Sequence, residues 1–274
     1  MLSTMNQSMK GRTHLGNSVD PSRSLAIRKS FASRQAQVFL AATRYASAEL
    51  AKPGVGEEPT VNQAEQFYAA LTALLMLPMA TGDTLRPYVR AGYLRGVTNA
   101  NIDLRSGGLA VTGAETAVLT LAVHRMSLEA EQARSVALMR GVYGSVLQGV
   151  KNQFETPQEK PLVDRVNATL RAGLRQAAIV GGTAIVGNVA QAFLNRVSDF
   201  GIAIVSPFIE SRFTTAGDDR VCQQCRGIEE RDNGMGPGIF TISQARGIIP
   251  VHYSCRCSWR AVFLGRTVPV LRFR

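Results

Sequence analysis

All four cysteines of this chain lie within one C-terminal segment, and a histidine lies among them. The order is C-x2-C, a gap of 26 residues, and then H-x2-C-x-C. A C-x2-C pair can reach one ion from a tight turn, and a second half-site far along the chain completes a tetrahedron. The pattern predicts a structural metal site, with Zn²⁺ as the expected ion. Its candidate ligands are Cys222, Cys225, His252, Cys255 and Cys257.

Five candidates compete for four positions, and the spacing marks Cys257 as the spare ligand. The alternatives are two disulfides, free thiols, or a redox pair in the segment CQQC. Disulfides require an oxidising compartment, which nothing in the sequence indicates. A redox pair is typical of a thioredoxin-like βαβ unit, which the flanking sequence does not predict. We favour a metal because a small, Gly-rich tail with few core residues needs an external cross-link.

The rest of the chain is predicted to be helical. Its 274 residues include 45% hydrophobic and 19% charged residues, an ordinary globular mixture that fits one or two domains. We expect a mainly α protein, with a bundle-like helical body and a small Cys/His-rich α+β domain at the C-terminus. The expected divisions are a basic, Ser/Gly-rich arm over 1–23, the helical body over 24–205, and the metal-tied domain with its basic tail over 206–274.

Local signals place the first helices. One should begin near Ser24 and end at the Gly- and Pro-containing segment 52–59. Thr60 and Gln63 form a candidate capping box that opens the next helix. We expect that helix to be interrupted at Pro78 and Gly82.

Further signals place the later elements. Asp83 is expected to cap a short helix that ends near Arg95, and the Gly/Asn-rich residues 98–113 to form a loop or small hairpin. The apolar patterns over 114–155 and 162–200 predict two long helices. Short β-type runs at 260–264 and 267–274 close the chain.

Two stretches have few enough charges to be considered as membrane spans, 66–82 and 176–195. The first is short and contains Pro78, and the second is diluted by glycine, asparagine and glutamine. Buried helices of a soluble bundle are the favoured interpretation, so a membrane partner is not expected. Residues 1–24 lack the apolar core of a secretory signal.

The charge distribution favours a polyanionic partner. The formal net charge is +11, and arginine dominates the cations. Both ends of the chain are basic whereas the middle is nearly balanced, which suits non-specific contact with the phosphates of double-stranded DNA. The predicted phosphate contacts are Arg256, Arg260, Arg272 and Arg274. A solvated or salt-bridged basic surface is the alternative.

An enzymatic role for the Cys/His segment is the less favoured hypothesis. A metal-dependent nuclease or hydrolase would need a general base, for which four nearby acids are candidates: Asp218, Asp219, Glu229 and Glu230. We expect these acids to be solvated turn residues. A phosphate-binding Gly-rich loop, a G-x-S-x-G elbow and an H-E-x-x-H motif are absent from the sequence. The chain is therefore expected not to be an enzyme.

Two segments within 212–258 carry a resemblance to a known family. FTTAGDDRVCQQCRGI, followed by IIPVHYSCRCSWR, resembles the C-terminal signature of the phage head morphogenesis family of minor capsid proteins. Phe213 takes the aromatic place of that signature, and Pro250 and Arg256 match its second half. Tyr253 departs from it, since the family usually has proline there, and the segment between the halves is longer than usual.

The resemblance implies a minor structural protein of a tailed phage, made in the cytoplasm of the bacterial host and placed inside the virion head near the portal. Such proteins associate with the portal and capsid, and some contact packaged DNA and influence its retention or exit. A homo-oligomer in the particle is expected. A membrane-active ejection protein, using the two apolar stretches, is the second hypothesis.

Overall fold

The computed structural model describes residues 20–55, 59–80, 85–156, 159–203 and 209–264. It is mainly α with a small C-terminal α+β part, which confirms the predicted fold class. The five long helices are α1 (Leu25–Leu50), α2 (Val61–Ala80), α3 (Arg86–Ser106), α4 (Ala122–Glu155) and α5 (Leu162–Ala203). The C-terminal elements are β1 (Ile209–Thr214), α6 (Gln223–Glu230), β2 (Ile239–Phe240), α7 (Ile242–Ala245) and β3 (Ser258–Phe263).

The first two helices begin where their local signals predict. Ser24 is the N-cap of α1, and Phe31, Val38 and Ala42 are buried along one stripe of that helix. The capping box at the start of α2 is reciprocal, because the Thr60 amide donates to Gln63 Oε1 at 2.9 Å and the Gln63 amide donates to Thr60 Oγ1 at 3.3 Å. The start of α2 is therefore determined by short-range capping chemistry, whereas the Ser24 side chain makes no capping hydrogen bond at the start of α1.

The predicted interruption of α2 at Pro78 is wrong, because the helix continues through that residue to Ala80. Proline removes one backbone donor and crowds the preceding turn. Pro78 lies in the last turn that the structure describes for this helix. The predicted interruption at Gly82 and the cap at Asp83 lie outside the described residues.

The predicted end of α3 near Arg95 is also wrong, and so is the predicted loop over 98–106, since α3 runs to Ser106. Val97, Ala100 and Leu104 are buried and form an apolar stripe at helical spacing. The polar residues between them suggested a loop, but Asn101 and Asp103 are buried too and have partners in other elements. Tertiary contacts therefore stabilise this segment as part of α3 rather than as a loop.

The predicted helix over 114–155 has two parts. A 3₁₀ helix spans Glu115–Thr120, and the α-helix α4 begins only at Ala122. The predicted end of this helix at Glu155 is correct. The backbone of Leu121, which lies between the two parts, is extended.

The helix α5 lies at the centre of the bundle and packs against α1, α3 and α4. Small residues allow the close approach: a Cβ atom added to Gly96 of α3 would meet Ala192 Cβ at 2.7 Å, and Gly181 of α5 faces the ring of Phe31. Within the described residues, the segment Leu162–Phe200 alone has the length and hydropathy of a membrane span, and 72% of its most apolar window is buried in the fold.

The three strands form an antiparallel sheet with the order β2–β1–β3. Trp259 of β3 is buried, opposite Phe213 of β1, and the Phe213 and Phe240 rings meet it edge-on. This sheet shares one hydrophobic cluster with α3 and α5, including Phe193. The predicted strand at 260–264 is thus confirmed as part of β3, and the run at 267–274 lies outside the described residues.

Candidate metal centre

The first half of the Cys/His motif is organised by the start of α6. Cys222 is the N-cap of this helix, and its Sγ accepts a hydrogen bond from the amide of Cys225 at 3.4 Å. Cys225 lies in the first turn and is buried. The C-x2-C spacing therefore places two sulfur atoms side by side, as the sequence predicts.

The second half is a turn that is anchored to the helical body. The Cys255 amide donates to the carbonyl oxygen of His252 at 3.2 Å, which closes the turn. Ser254 has a positive φ of 66°, and its amide donates to Thr183 Oγ1 of α5 at 2.9 Å. Cys257 follows and is buried just before β3 begins.

The two halves meet at Cys225. Its Sγ lies 3.2 Å from His252 Nε2. Cys222, Cys225 and His252 form one group whose ligand atoms all lie within 4.8 Å of one another, and Cys225, Cys255 and Cys257 form a second. A tetrahedral zinc site with Zn–S bonds of about 2.3 Å separates its sulfur atoms by about 3.8 Å. These residues can therefore hold a metal ion.

Cys257 is not remote from the site, although the spacing marks it as the spare. Its sulfur belongs to the second group, and Cys225, Cys255 and Cys257 are all buried. All four cysteines have free thiols in the structure. Thiolate and imidazole ligands suit a soft or borderline ion.

The ring of His252 is oriented for coordination. Its Nδ1 pairs with the carbonyl oxygen of Tyr253, and this hydrogen bond is the main reason that the pKa of His252 is raised. When Nδ1–H donates to that carbonyl, the neutral ring presents a lone pair at Nε2, the atom beside Cys225. Metal-binding histidines commonly use a backbone carbonyl in this way.

The thiols differ in their acidity. The backbone amide of Cys225 lowers the pKa of Cys222. Hydrogen bonding from Cys257 lowers the pKa of Cys255 to about 5. Burial raises the pKa of Cys225 to about 12. The pKa of Cys257 is also raised, mainly by the hydrogen bond between its thiol and the Cys255 sulfur. Without a metal, Cys222 and Cys255 are therefore the thiols that favour the thiolate form.

An ion pair joins the two halves of the motif. The guanidinium of Arg256 donates to both carboxylate oxygens of Asp218, at 2.7 and 2.6 Å. These hydrogen bonds hold the pKa of Asp218 below its ordinary range. Arg256, a predicted phosphate contact, thus has a carboxylate partner within the fold.

Of the other three predicted phosphate contacts, Arg260 lies in the described part of the chain. Arg260 pairs with Asp103 Oδ1 of α3 at 2.9 Å, while its side chain remains 48% exposed. Burial is the main cause that raises the pKa of Asp103, whose Oδ2 also accepts a hydrogen bond from the Ala261 amide at 3.0 Å. Arg272 and Arg274 lie outside the described residues. Phosphate binding by these four arginines stays a prediction.

Two of the four acids near the motif are not the solvated turn residues that we expected. Asp218 holds Arg256, and Glu229 accepts hydrogen bonds from the amide and hydroxyl of Thr215 at 3.0 and 2.7 Å. Asp219 and Glu230 are exposed. Asp218 and Glu229 therefore link elements of the small domain.

A buried polar network joins α3, α4 and α5, and the sequence gives no signal for it. His124 is fully buried, with Nδ1 lying 3.0 Å from the Tyr93 hydroxyl and Nε2 lying 2.8 Å from Asp199 Oδ2. Asn195 donates to the same hydroxyl at 3.0 Å. These residues come from three different helices, so only the packing of α3, α4 and α5 brings them together.

Comparison of the chain with protein-family models, with curated proteins and with solved structures gave no match.

Proposed function

We propose that this protein is a minor structural component of a tailed-phage head, located inside the virion near the portal. The observation that carries the proposal is the convergence of the two half-motifs at Cys225, 3.2 Å from His252. The Cys and His residues that carry the resemblance to the phage head morphogenesis signature therefore also lie close together in space. We propose that the protein acts by binding portal, capsid and packaged DNA, without catalysing a reaction.

The proposed metal is one structural Zn²⁺ ion. Cys225 belongs to both ligand groups and is the residue that they share, so it is the ligand that we propose as the centre of the site. The ion would draw the α6 turn and the turn before β3 together, and it would add to the Arg256–Asp218 pair. Structural zinc sites supply folding free energy directly. A site of this kind would keep the small domain rigid against the helical body.

Metal content tests this part of the proposal. We expect the purified full chain, expressed with zinc supplied, to contain about one zinc ion per chain by elemental mass spectrometry. Cys225→Ser should lose that zinc, whereas Gln224→Ser, at an exposed position in the same helix, should keep it. A zinc-free wild-type chain with its thiols reduced would contradict the proposed metal site.

The proposed partners are the portal, the capsid and double-stranded DNA. Support comes from the net charge of +11 and the arginine-rich composition, since arginine binds phosphate through a planar fork of donors. Arg256, Arg260, Arg272 and Arg274 stay the C-terminal candidates for these contacts. A homo-oligomer bound to the portal ring would repeat them around the DNA exit.

Location in the particle is the decisive test of the proposed function. The gene should be deleted from the phage that carries it, and the particles should be compared with wild type by electron cryomicroscopy. We expect wild-type particles to show density for the chain inside the head at the portal vertex, and deletion particles to lack it. Density outside the head, or unchanged particles after deletion, would contradict the proposal.

A further inference from the structure

Two neighbouring helices are free of acidic residues along most of their length. The sequence has no Asp or Glu between Asp20 and Glu49, which covers nearly all of α1. It has none between Asp164 and Asp199, which covers most of α5. The arginines and the lysine in these helices therefore have few acidic side chains within their own helix with which to form ion pairs.

The acid-free segments pack side by side in antiparallel directions. Phe31 of α1 lies against Gly181 of α5, and Phe39 lies against Gly173. Asn167 of α5 donates to Ser47 Oγ of α1 at 3.0 Å. As residue numbers rise along α1, the residues opposite them on α5 therefore fall.

This register spaces the exposed cations of the two helices. Arg171 and Arg175 are one turn apart on the exposed side of α5. The register places Arg44 of α1 about one turn beyond Arg171, and Lys29 about two turns beyond Arg175. At 1.5 Å per residue the four cations span roughly 22 Å, which is about six base pairs of DNA at 3.4 Å each.

These four side chains are exposed and have no ion-pair partner within the described residues. The C-terminal candidates differ, because Arg256 and Arg260 each hold a carboxylate. An unpaired cation attracts phosphate without first giving up an internal ion pair. Among the arginines and lysines that the structure describes, the four on α1 and α5 are therefore more available to phosphate than Arg256 and Arg260 are.

We propose that the exposed surface of α1 and α5 around Lys29, Arg44, Arg171 and Arg175 binds the phosphate backbone of double-stranded DNA. This inference deepens the proposed function and rests on it. Contacts of this kind neutralise phosphates and release counterions, so binding is independent of base sequence and weakens steeply with salt.

The composition of the surface favours DNA over a lipid bilayer. Membrane-surface helices place a broad apolar face in the lipid and carry cations at its edge. On the described parts of α1 and α5, the exposed large apolar residues are Leu25, Leu40 and Ile179. The register of the two helices sets them about two turns apart, with the four cations interspersed, so they form no broad apolar face. The apolar face of α5 is used inside the bundle.

The test compares two double variants with equal net charge. In the full-length protein, Arg171→Gln/Arg175→Gln changes the proposed surface. Arg86→Gln/Arg90→Gln on α3 is the control, because these arginines have the same four-residue spacing and are also exposed. Affinity for a 30-base-pair duplex of arbitrary sequence is measured by fluorescence anisotropy over a range of salt concentrations, with circular dichroism verifying the fold.

We expect the α5 variant to reduce the slope of log K against log salt by about 1.8, since each lost phosphate contact removes about 0.9. The α3 control should leave this slope nearly unchanged. If the wild type binds DNA and the two variants behave alike, the inference is wrong while the proposed DNA contact survives. If the wild type binds no duplex, both this inference and the proposed DNA contact are wrong. Equal or tighter binding to phosphatidylglycerol vesicles, lost in the α5 variant, would assign the surface to lipid instead.

Discussion

The guanidinium of Arg256 donates a hydrogen bond to each carboxylate oxygen of Asp218, at 2.6 and 2.7 Å. Asp218 precedes the C-x2-C pair, and Arg256 lies between the last two cysteines. The two halves of the motif are therefore joined by a two-pronged ion pair as well as by the cluster of sulfur atoms. Such paired hydrogen bonds fix geometry better than a single contact does.

The pH dependence of stability reports on this pair. Because Arg256 lowers the pKa of Asp218, the pair stabilises the fold above the ordinary carboxyl pKa of 3.8, and this contribution disappears as the pH falls through the lowered pKa. Asp218→Asn should therefore lose less stability between pH 7 and 2.5 than wild type does. Urea unfolding across this range measures the effect. Asp219→Asn, at the exposed neighbour, should follow wild type, and identical profiles for both variants would contradict the assignment.

The contact between α3 and α5 at Gly96 predicts a clear stability difference. A Cβ atom there would lie 2.7 Å from Ala192 Cβ and 3.0 Å from the backbone nitrogen of Phe193. Gly96→Ala should destabilise the protein by about 1–3 kcal/mol, because overpacking forces the helices apart. Gly141 of α4 has no atom within 4 Å of such a Cβ, so Gly141→Ala should stabilise by about 0.5–1 kcal/mol. Urea denaturation measures the change in unfolding free energy for each variant. Changes of the same sign in both variants would contradict the close approach of α3 and α5.

The buried network predicts the effect of removing one hydroxyl group. The Tyr93 hydroxyl lies 3.0 Å from both His124 Nδ1 and Asn195 Nδ2. Tyr93→Phe leaves buried polar groups without their partner, which should destabilise the fold by about 1–3 kcal/mol. Tyr253→Phe removes a hydroxyl from a side chain that is 62% exposed and should change little. Thermal unfolding that ranks the variants equally would contradict the network.

Metal removal should be visible through the single tryptophan. Trp259 is buried in the sheet just after Cys257. A strong chelator should change the emission of this tryptophan in the wild-type protein and lower its melting temperature, since a structural ion stabilises the folded state that binds it. Cys225→Ser should already resemble the chelated protein and respond no further. A chelator response of the same size in the Cys225→Ser variant would contradict a metal site that includes Cys225.

Short-range signals predict well where they are complete. The Thr60–Gln63 box depends on two residues that are three positions apart in the chain. The pairing of Cys222 with Cys225 follows from the first turn of α6. These features could be predicted because the interacting atoms are held together by local backbone geometry.

Contacts between residues that are distant in sequence explain where the sequence-based predictions were wrong or incomplete. Asn101 and Asp103 suggested a loop, yet they lie in a helix, where Arg196 of α5 donates to Asn101 Oδ1 and Arg260 of β3 pairs with Asp103. The sulfur of Cys257 joins its group through the path of the chain into β3, which the spacing of the cysteines does not reveal. Burial of a polar residue is stable only with a partner, and the partner is distant in sequence.

Taken alone, the sequence determined the helical character, the local caps and the set of residues able to bind a metal, because these depend on composition and on spacings of a few residues. The tertiary structure decided which polar groups are paired: Arg256 with Asp218, Arg260 with Asp103, and His124 with Tyr93 and Asp199. It also decided which cations of the α1–α5 surface have no carboxylate partner among the residues that the structure describes. The physical reason is that electrostatic partners are selected by distance in space, and packing of the helices sets that distance.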